Sequence, residues 1–474
     1  MARIAQQLRQ HPGTHPVSLR KKGPPHQVPK RGDQRRHDEK IDISDLTDIL
    51  AIDLDARTCT AESGVTFDEV VQATLPLGFV PIIVPEFKTI TLGGAVTGCS
   101  VESMSFKHGG FHDTCAAYEL VTGNGEVLAC SPDSEHAHLF EMLHGSFGTL
   151  GVLAKLVFRL IPARPFVHVV YETYRTLDEY KAAIWRRYES RDVDFMDGII
   201  HAADHYVLSL GTFVDRAPYT NSYDWTKVYY RSTAERSDDY LRTPDYFFRY
   251  NNGVTNVHPK SFIGRLFFGK FLHSDRLLRL AERFHRLLPA ERPTVTLDTF
   301  IPFSRWSAFM EWYGKQVGHF PLWCVPYRIP HKYGWIADGL MADVDDQLFL
   351  DLAIYGMEQP EGRNIYKEIE DFLPRVSGTK TLIAHNYYSR ASFWQSFHRP
   401  NYERAKRVAD PRNLFRDLYV KTCCASQGRD DDRPADCDQV ESTADAPATG
   451  EPAVDTASAS PAAADLDRGS AAAE

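Results

Sequence analysis

The 474-residue chain lacks the features that mark several protein classes. It has no apolar run of the ~18 residues that a membrane-spanning helix requires, so we expect no transmembrane segment. No charged-then-apolar leader precedes a cleavage site, which favours a cytoplasmic protein. None of its eight cysteines forms a Cys-x-x-Cys pair, so we expect buried structural thiols in a reducing compartment.

Two common phosphate-binding motifs are also absent. Neither the Gly-x-Gly-x-x-Gly dinucleotide fingerprint between a strand and a helix nor the P-loop sequence occurs. His136 and His138 have the spacing of a metal-ligand pair, but Ser-Glu-His-Ala-His-Leu is more typical of a solvated turn. We therefore predict no metal site.

Charge is unevenly distributed along the sequence. From Arg429 to the end there are twelve acidic and three basic residues, whereas the first forty residues hold ten Lys or Arg and three Asp or Glu. Residues 426–474 are rich in Ala, Pro, Asp, Ser and Thr and have no aromatics, which predicts a disordered acidic tail. The basic start includes three consecutive cations before Gly23, so binding of a phosphate-bearing molecule is a simpler interpretation than binding of nucleic acid.

Residues 85–115 are the most informative stretch because glycine recurs there without a long apolar period. Glycine lets backbone N–H groups approach an anion closely, and a connection of about 30 residues without periodicity is uncommon unless it is functional. We therefore predict one long loop wrapped along a phosphate-bearing cofactor. Its glycines are Gly93, Gly94, Gly98, Gly109 and Gly110.

The ordered set in this segment resembles a known family. Thr91-Leu-Gly-Gly-Ala-Val-Thr-Gly-Cys-Ser-Val-Glu-Ser103, followed by Phe106-Lys107, resembles the second FAD-binding segment of the vanillyl-alcohol oxidase (p-cresol methylhydroxylase-type) flavoproteins. Within that group it is most similar to the 24-dehydrocholesterol (Δ24-sterol) reductase branch. The resemblance implies an α+β fold, with a two-subdomain FAD-binding domain of the p-cresol methylhydroxylase type and a separate α+β substrate domain. The boundaries we predict are 1–165 for the FAD-binding domain, 166–384 for the substrate domain, 385–425 for a segment returning over the flavin, and 426–474 for the tail.

The resemblance also implies which residues bind FAD. Residues 17–29 take the place of a first pyrophosphate loop, residues 145–153 resemble the turn near the flavin ring, and residues 409–421 resemble the returning segment. Some relatives attach FAD covalently through a histidine in the first loop, but the setting of His26 favours non-covalent FAD. The predicted cofactor-binding residues are Arg20, Lys21, Lys22, Gly23, His26, Pro85, Thr91, Leu92, Gly93, Gly94, Gly98, Glu102, Ser103, Lys107, Gly148, Gly151 and Lys421.

Three residues are candidates for catalysis. Arg328 lies in a stretch that resembles a strand of the sterol reductase branch and would favour the anionic reduced flavin; a structural ion pair is the other interpretation. His385-Asn-Tyr-Tyr388 stands where alcohol-oxidising relatives carry His-Trp-Gly-Lys, so that only the histidine is kept. His385 or Tyr387 would then protonate a substrate carbon.

The aromatic-rich residues 223–250 and 262–272 leave the substrate surface open to three interpretations. They suit a wall for a bulky apolar small molecule, an ordinary core, or a peripheral membrane contact. The leading functional hypothesis is an FAD-dependent oxidoreductase that reduces a C=C bond of a sterol or isoprenoid-like substrate, with NAD(P)H as hydride donor and ping-pong kinetics. The alternatives are an FAD-dependent alcohol or sugar oxidase or dehydrogenase, and a flavin-stabilised scaffold whose acidic tail recruits a partner.

Local signals predict several elements. Thr66 and Glu69 form a capping-box sequence, as do Thr176 and Glu179, so a helix is expected after each threonine. Asn124-Gly125 predicts the turn of a hairpin that spans residues 118–130. Alternating apolar residues predict strands at 152–161 and 166–171.

Overall fold

The fold is known from a computed structural model, which describes residues 1–23, 32–223, 227–251 and 293–429. Predictions made for His26, for positions 224–226 of the aromatic-rich stretch, for the apolar run 262–272 and for the tail beyond residue 429 lie outside the described residues. Ser426 is buried and donates to the carbonyl of Thr422, so the packed part of the protein extends past the boundary predicted at residue 425.

The strands of the first third of the sequence form two sheets. A short parallel pair is followed by a six-stranded antiparallel sheet of order β3-β4-β8-β6-β7, in which β5 pairs with one end of β8. The long β8 therefore organises this sheet, because it pairs with three strands. The strands are β1 Val17–Arg20, β2 Glu39–Asp42, β3 Ile49–Asp53, β4 Thr58–Glu62, β5 Phe79–Pro81, β6 Cys115–Val121, β7 Val127–Cys130 and β8 Val152–Pro162.

An eight-stranded antiparallel sheet follows directly after β8. Its order is β12-β9-β11-β10-β14-β15-β13-β16, so β14 and β15 lie near its middle and β16 lies at one edge. Its strands are β9 Phe166–Tyr174, β10 Phe195–Ala202, β11 His205–Val214, β12 Asp238–Arg242, β13 Val295–Pro302, β14 Leu322–Arg328, β15 Leu348–Met357 and β16 Thr379–Lys380.

Helices cover the sheets and connect the strands. The described helices are α1 Ala2–Gln10, α2 Phe67–Thr74, α3 Leu92–Thr97, α4 Ser105–His108, α5 Ala137–Met142, α6 Leu177–Ser190, α7 Tyr229–Ser232, α8 Thr243–Phe247, α9 Trp306–Gln316, α10 Ile365–Phe372, α11 Arg390–Ser396 and α12 Arg399–Ala409. Residues Val420–Cys424 form one turn of π-helix. The α+β fold class expected from the family resemblance is confirmed.

The two faces of the eight-stranded sheet have different neighbours. Even-numbered residues of β15, such as Leu350 and Leu352, join a core with α6, α9 and α10. On the opposite face, Trp323, Val325 and Ala353 share a core with the glycine-rich segment and the six-stranded sheet. Since strand residues alternate between faces, this second face meets the predicted cofactor segment.

Most local predictions are confirmed. Both capping boxes are formed: Thr66 precedes α2 and Thr176 precedes α6, each with reciprocal bonds to the glutamate three residues later. β6 and β7 pair as the predicted hairpin, and the predicted strands appear as β8 and β9. The seven cysteines within the described residues are free thiols.

The prediction of a single long loop over residues 85–115 is wrong. Two short helices, α3 and α4, interrupt it. Leu92, Ala95 and Val96 have helical spacing and are buried in the shared core, and Phe106 is buried against the eight-stranded sheet. Burial of these apolar side chains stabilises helical turns that glycine content alone disfavours.

Within the described ranges, no helix is both long enough and apolar enough to cross a membrane.

Candidate active site

Backbone contacts bring together all four segments that the sequence associates with a cofactor. A Cβ built on Gly23, at the end of the first segment, would lie 3.7 Å from the carbonyl oxygen of Thr89. The Phe147 N–H donates to the carbonyl of Thr97 (3.0 Å), which joins the turn after α5 to the end of α3. The Val17 N–H donates to the carbonyl of Leu414 (2.8 Å), which joins β1 to the returning segment.

Lys421 joins the returning segment to the turn after α5. Its Nζ donates to the carbonyl oxygen of Phe147 (2.6 Å), and a Cβ on Gly148 would lie 3.8 Å from the same nitrogen and 3.8 Å from Leu19 Cδ1. Burial first, and then nearby cations led by Arg35, lower the pKa of Lys421 to about 7, with Asp38 opposing the shift. Among the described residues this ammonium forms no ion pair, so it can hold the anionic part of a flavin cofactor.

The returning segment is fixed to the turn by a second, fully engaged lysine. Lys406, on α12, donates to the carbonyls of Thr149 (2.7 Å) and Phe415 (2.7 Å) and to Asp410 Oδ2 (2.8 Å). The Asp410 carboxylate also accepts from the N–H groups of Leu414 and Phe415. Lys406 therefore has a structural role, and Lys421 is the cation available to a ligand.

Different structural constraints apply to the glycines of the cofactor segment. A Cβ on Gly93 would lie 2.7 Å from Ser63 Cβ, so close packing against the residue after β4 requires glycine there. Cβ atoms on Gly109 and Gly110 would similarly collide with the side chains of Asp113 and His112. Gly94 is exposed, and a Cβ built on it would meet only Thr91 Oγ1, at 3.1 Å. Among these four, Gly94 is the one placed to leave room for a ligand.

Glu102 and Ser103 join the cofactor segment to the eight-stranded sheet. Glu102 Oε1 and Asp197 Oδ2 each lie 3.0 Å from Arg249 Nη2, and all three side chains are buried. The N–H of Met196 donates to the carbonyl of Ser103 (2.7 Å), and the Glu102 carboxylate accepts from both the N–H and the hydroxyl of Ser103. These contacts fix the orientation of the cofactor segment on β10.

Aromatic side chains enclose the Arg249 guanidinium. Its Cζ lies 4.2 Å from the ring centroid of Tyr246 and 4.8 Å from that of Tyr250. Tyr250 OH and Trp323 Nε1 both donate to Asp197 Oδ2, at 3.0 and 2.9 Å. Burial raises the pKa of Glu102; Arg249 opposes this shift and Asp197 adds to it. The aromatic residues described between 223 and 250 are thus largely core, consistent with the second interpretation of that stretch.

Three further carboxyls lie near this junction, on the face of the sheet that meets the cofactor segment. Asp298 on β13 is opposite Ala353, and Asp351 on β15 is opposite Phe300, so the two aspartates are diagonal neighbours on adjacent strands. Glu86 comes from the cofactor segment. Burial raises the pKa of Glu86 to about 8, with Glu102 and Asp298 adding to the shift. Burial also raises the pKa of Asp298 to about 6, against the hydrogen bond that Tyr355 OH donates to it.

The predicted catalytic residues do not form one group. His385 is buried on the helix-covered side of the sheet, with its ring centroid 5.4 Å from that of Tyr366 on α10. The Tyr387 N–H donates to both oxygens of Glu370, at 3.0 Å. Arg328 ends β14, which two strands separate from β16 and the segment leading to His385, a distance of roughly 14 Å across the sheet.

Other predicted cofactor residues are distributed over the same region. Lys107 lies 3.9 Å from Asp194 Oδ1. Arg20 is exposed and pairs with Asp42 of the neighbouring strand. Thr91 is buried at the start of α3, and Gly151 lies at the start of β8, where a Cβ would be 2.7 Å from the carbonyl oxygen of Val121. The roles predicted for these residues remain predictions.

Sequence reasoning missed the buried acids Asp197, Asp298 and Asp351. Each interrupts an apolar strand, which is a readable signal because an ionisable group on an otherwise buried strand needs a partner or a function. The sequence does not show that the three side chains face the cofactor segment, since that depends on strand order and register.

Comparison with known proteins agrees with this geometry. Residues 15–131 match the family described as FAD binding domain. The sequence is 25% identical over 411 residues to human Delta(24)-sterol reductase, covering 81% of this protein and 77% of the human one. It is 25% identical over 426 residues to the Delta(24)-sterol reductase homolog of Caenorhabditis elegans, with coverages of 81% and 79%. It is 23% identical over 434 residues to the Delta(24)-sterol reductase of Arabidopsis thaliana, with coverages of 82% and 77%. The family resemblance inferred from residues 91–107 is confirmed.

Proposed function

We propose that this protein, which belongs to the p-cresol methylhydroxylase-type FAD-binding flavoproteins, is an oxidoreductase that reduces a C=C bond of a sterol or isoprenoid-like substrate. Similarity to Delta(24)-sterol reductases over 81% of the sequence is the observation that carries the proposal. The FAD-binding domain match covers the first two predicted cofactor segments.

The local geometry suits a flavin. Lys421, Gly148 and the exposed Gly94 come from three of the four joined segments, and together they leave a cation and open backbone where a cofactor would bind. FAD would supply hydride transfer to carbon. The protein's own residues then hold the cofactor, position the substrate against the eight-stranded sheet and provide a proton.

The chemistry of the sheet face favours reduction of an alkene over oxidation of an alcohol. Saturation of a C=C bond requires a proton donor, and the half-buried carboxyl of Glu86, whose pKa is raised to about 8, can hold a proton near neutral pH. Oxidation of an alcohol requires a base near the hydroxyl. His385, the one residue kept from the alcohol-oxidising motif, lies on the helix-covered side of the sheet instead.

NAD(P)H is the proposed hydride donor. The sequence lacks the dinucleotide fingerprint, so we propose that nicotinamide enters the substrate space, reduces the flavin and leaves before the alkene binds. This order predicts ping-pong kinetics, with parallel lines in double-reciprocal plots. Intersecting lines would contradict it.

An anaerobic absorbance experiment tests the function. Purified protein should show a flavin spectrum that bleaches with NADPH or NADH and recovers when a sterol with one isolated C=C bond in its alkyl tail is added. The same sterol with a saturated tail is the matched control and should restore nothing. Bleaching by an alcohol or sugar, with no response to either nicotinamide, would support the oxidase instead.

A further inference from the structure

The carboxyl of Asp351 is buried, and one of its two oxygens has no hydrogen-bond partner in the part of the chain that the structure describes. The residue is 5% exposed, and that oxygen is Oδ1. In the same ranges no Lys or Arg forms an ion pair with Asp351, Asp298 or Glu86. An ionised carboxylate in such a setting is strongly disfavoured, so the group holds its proton.

The surroundings of Asp351 also favour the protonated form. Asp298 is its diagonal neighbour on β13, at a Cα separation of ~7–8 Å for such a pair. Glu86, on the cofactor segment, interacts electrostatically with both aspartates. Tyr355 donates its hydroxyl to Asp298, which stabilises negative charge on that residue. Asp298 is therefore the better acid of the pair, and Asp351 retains a proton in its field, as in other carboxyl dyads.

Strand register places Asp351 on the side of the sheet where a substrate would meet the cofactor segment. It is opposite Val325 on β14, and Val325 belongs to the core that contains Leu92 and Val96 of α3. Leu350 and Leu352, its sequence neighbours, belong to the core on the other side. The carboxyl of Asp351 therefore does not face the helices that cover the sheet.

We propose that Asp351 is the acid that protonates the substrate alkene, with Asp298 and Tyr355 as positioning residues. This inference rests on the proposed function. FAD reduced by NAD(P)H would supply the hydride, two electrons and one hydrogen, that one alkene carbon receives. The O–H bond of Asp351 breaks, its proton bonds to the other carbon, and the oxygen keeps the electron pair. A solvent proton then restores the neutral acid.

The decisive variant is Asp351→Asn, which keeps size and removes the acidic proton. Asp343→Asn is the matched control because Asp343 is exposed on the turn before β15. Stopped-flow absorbance separates the two half-reactions: bleaching by NADPH, then recovery with the unsaturated sterol. In Asp351→Asn the flavin absorbance should bleach with NADPH at the rate of the control. Its recovery with the unsaturated sterol should be about 10²–10⁴-fold slower, the range typical of a lost general acid. Equal recovery rates in the two variants would overturn the proposal.

An infrared measurement keeps this test separate from the test of function. At neutral pH the wild-type protein should show the C=O stretching band of a protonated carboxylic acid that Asp351→Asn lacks and Asp343→Asn retains. If no sterol restores the oxidised flavin in the wild type, the proposed function fails, and the band still decides whether Asp351 is a buried acid. Absence of a difference between the two variants would show that Asp351 is ionised and refute its role.

Thermal unfolding distinguishes catalysis from folding. Asp351→Asn should unfold within a few degrees of wild type, because the amide replaces a neutral acid of the same shape. If it does not fold, Asp351→Glu supplies the second variant. Asp351→Glu keeps the acidic proton at a shifted position. Its flavin absorbance should therefore recover with the unsaturated sterol faster than that of any folded variant without a carboxyl at position 351. An equally slow Asp351→Glu and Asp351→Ala would contradict the proposal.

Discussion

Replacing Arg249 by methionine should be among the most destabilising single changes in this protein. The guanidinium is fully buried between Glu102 and Asp197, and removing one partner of a buried ion pair costs about 3–5 kcal/mol. The lost contacts with Tyr246 and Tyr250 add about 1 kcal/mol. The total loss has an upper limit, because Glu102 can take up a proton once Arg249 is gone. Protonating a carboxyl of ordinary pKa at pH 7 costs about 4 kcal/mol. We expect a loss of about 4–5 kcal/mol in unfolding free energy at pH 7.

The loss of unfolding free energy caused by Arg249→Met, called the deficit below, should depend on pH in a defined direction. Without Arg249 the folded-state pKa of Glu102, which burial already raises, rises further above its unfolded value, and such a group favours the folded state at low pH and disfavours it as pH rises through the folded pKa. The deficit should therefore shrink by about 1.4 kcal/mol per pH unit, for the proton that Glu102 takes up, as pH falls from 7 towards 5.

Urea unfolding at pH 5, 6 and 7 measures this effect, followed by both fluorescence and circular dichroism. Arg164→Met is the matched control, because Arg164 forms an exposed pair with Asp215 and exposed pairs contribute about 0–1 kcal/mol. A second substitution, Glu102→Gln in the Arg249→Met background, should restore part of the loss. A deficit below about 1 kcal/mol, or one that grows as pH falls, would refute the argument.

Three further predictions concern the cofactor segments. Lys421→Met should weaken FAD binding by about 10–150-fold, as expected for a lost hydrogen bond to a charged group. In the wild type, FAD affinity should fall as pH rises above the Lys421 pKa of about 7, and the variant should lack this fall. Flavin fluorescence titration at pH 6 and 8 measures both effects, and an FAD affinity of Lys421→Met that still falls between these pH values would contradict the assignment. Gly93→Ala should lower the unfolding free energy by about 1–3 kcal/mol because its Cβ would lie 2.7 Å from that of Ser63. Gly314→Ala, on a helix with open space around the glycine, should raise it by up to about 1 kcal/mol. Melting temperatures that shift in the same direction for both variants would contradict this prediction. Lys406→Met should cost about 3–5 kcal/mol by leaving Asp410 without its buried partner, and an unchanged urea midpoint would contradict the structural role of this lysine.

Local signals predicted the elements well because their causes lie within a few residues. A threonine followed three residues later by glutamate defines a helix start at Thr66 and at Thr176, and Asn124-Gly125 defines the hairpin between β6 and β7. The loop prediction over residues 85–115 failed for a related reason. Glycine content was given more weight than the helical spacing of Leu92, Ala95 and Val96, and burial of these side chains determines the local conformation.

The candidate site was predicted in part. The family resemblance identified the four segments, and their hydrogen bonds join them in the structure. The carboxyls at Asp197, Asp298 and Asp351 were not identified, because their common placement depends on the pairing of strands far apart in sequence. Arg328 and His385 are both candidates because their stretches of sequence correspond to family motifs, and the sheet order separates them.

Product analysis tests the central claim most directly. Purified protein is incubated anaerobically with NADPH and a sterol that carries one isolated C=C bond in its alkyl tail, and the sterol is then extracted for mass spectrometry. The account predicts a product heavier by two hydrogen atoms, formed in equal amount to the NADPH consumed and absent when FAD has been removed. A sterol recovered unchanged from protein that contains FAD and is reduced by NADPH would contradict it.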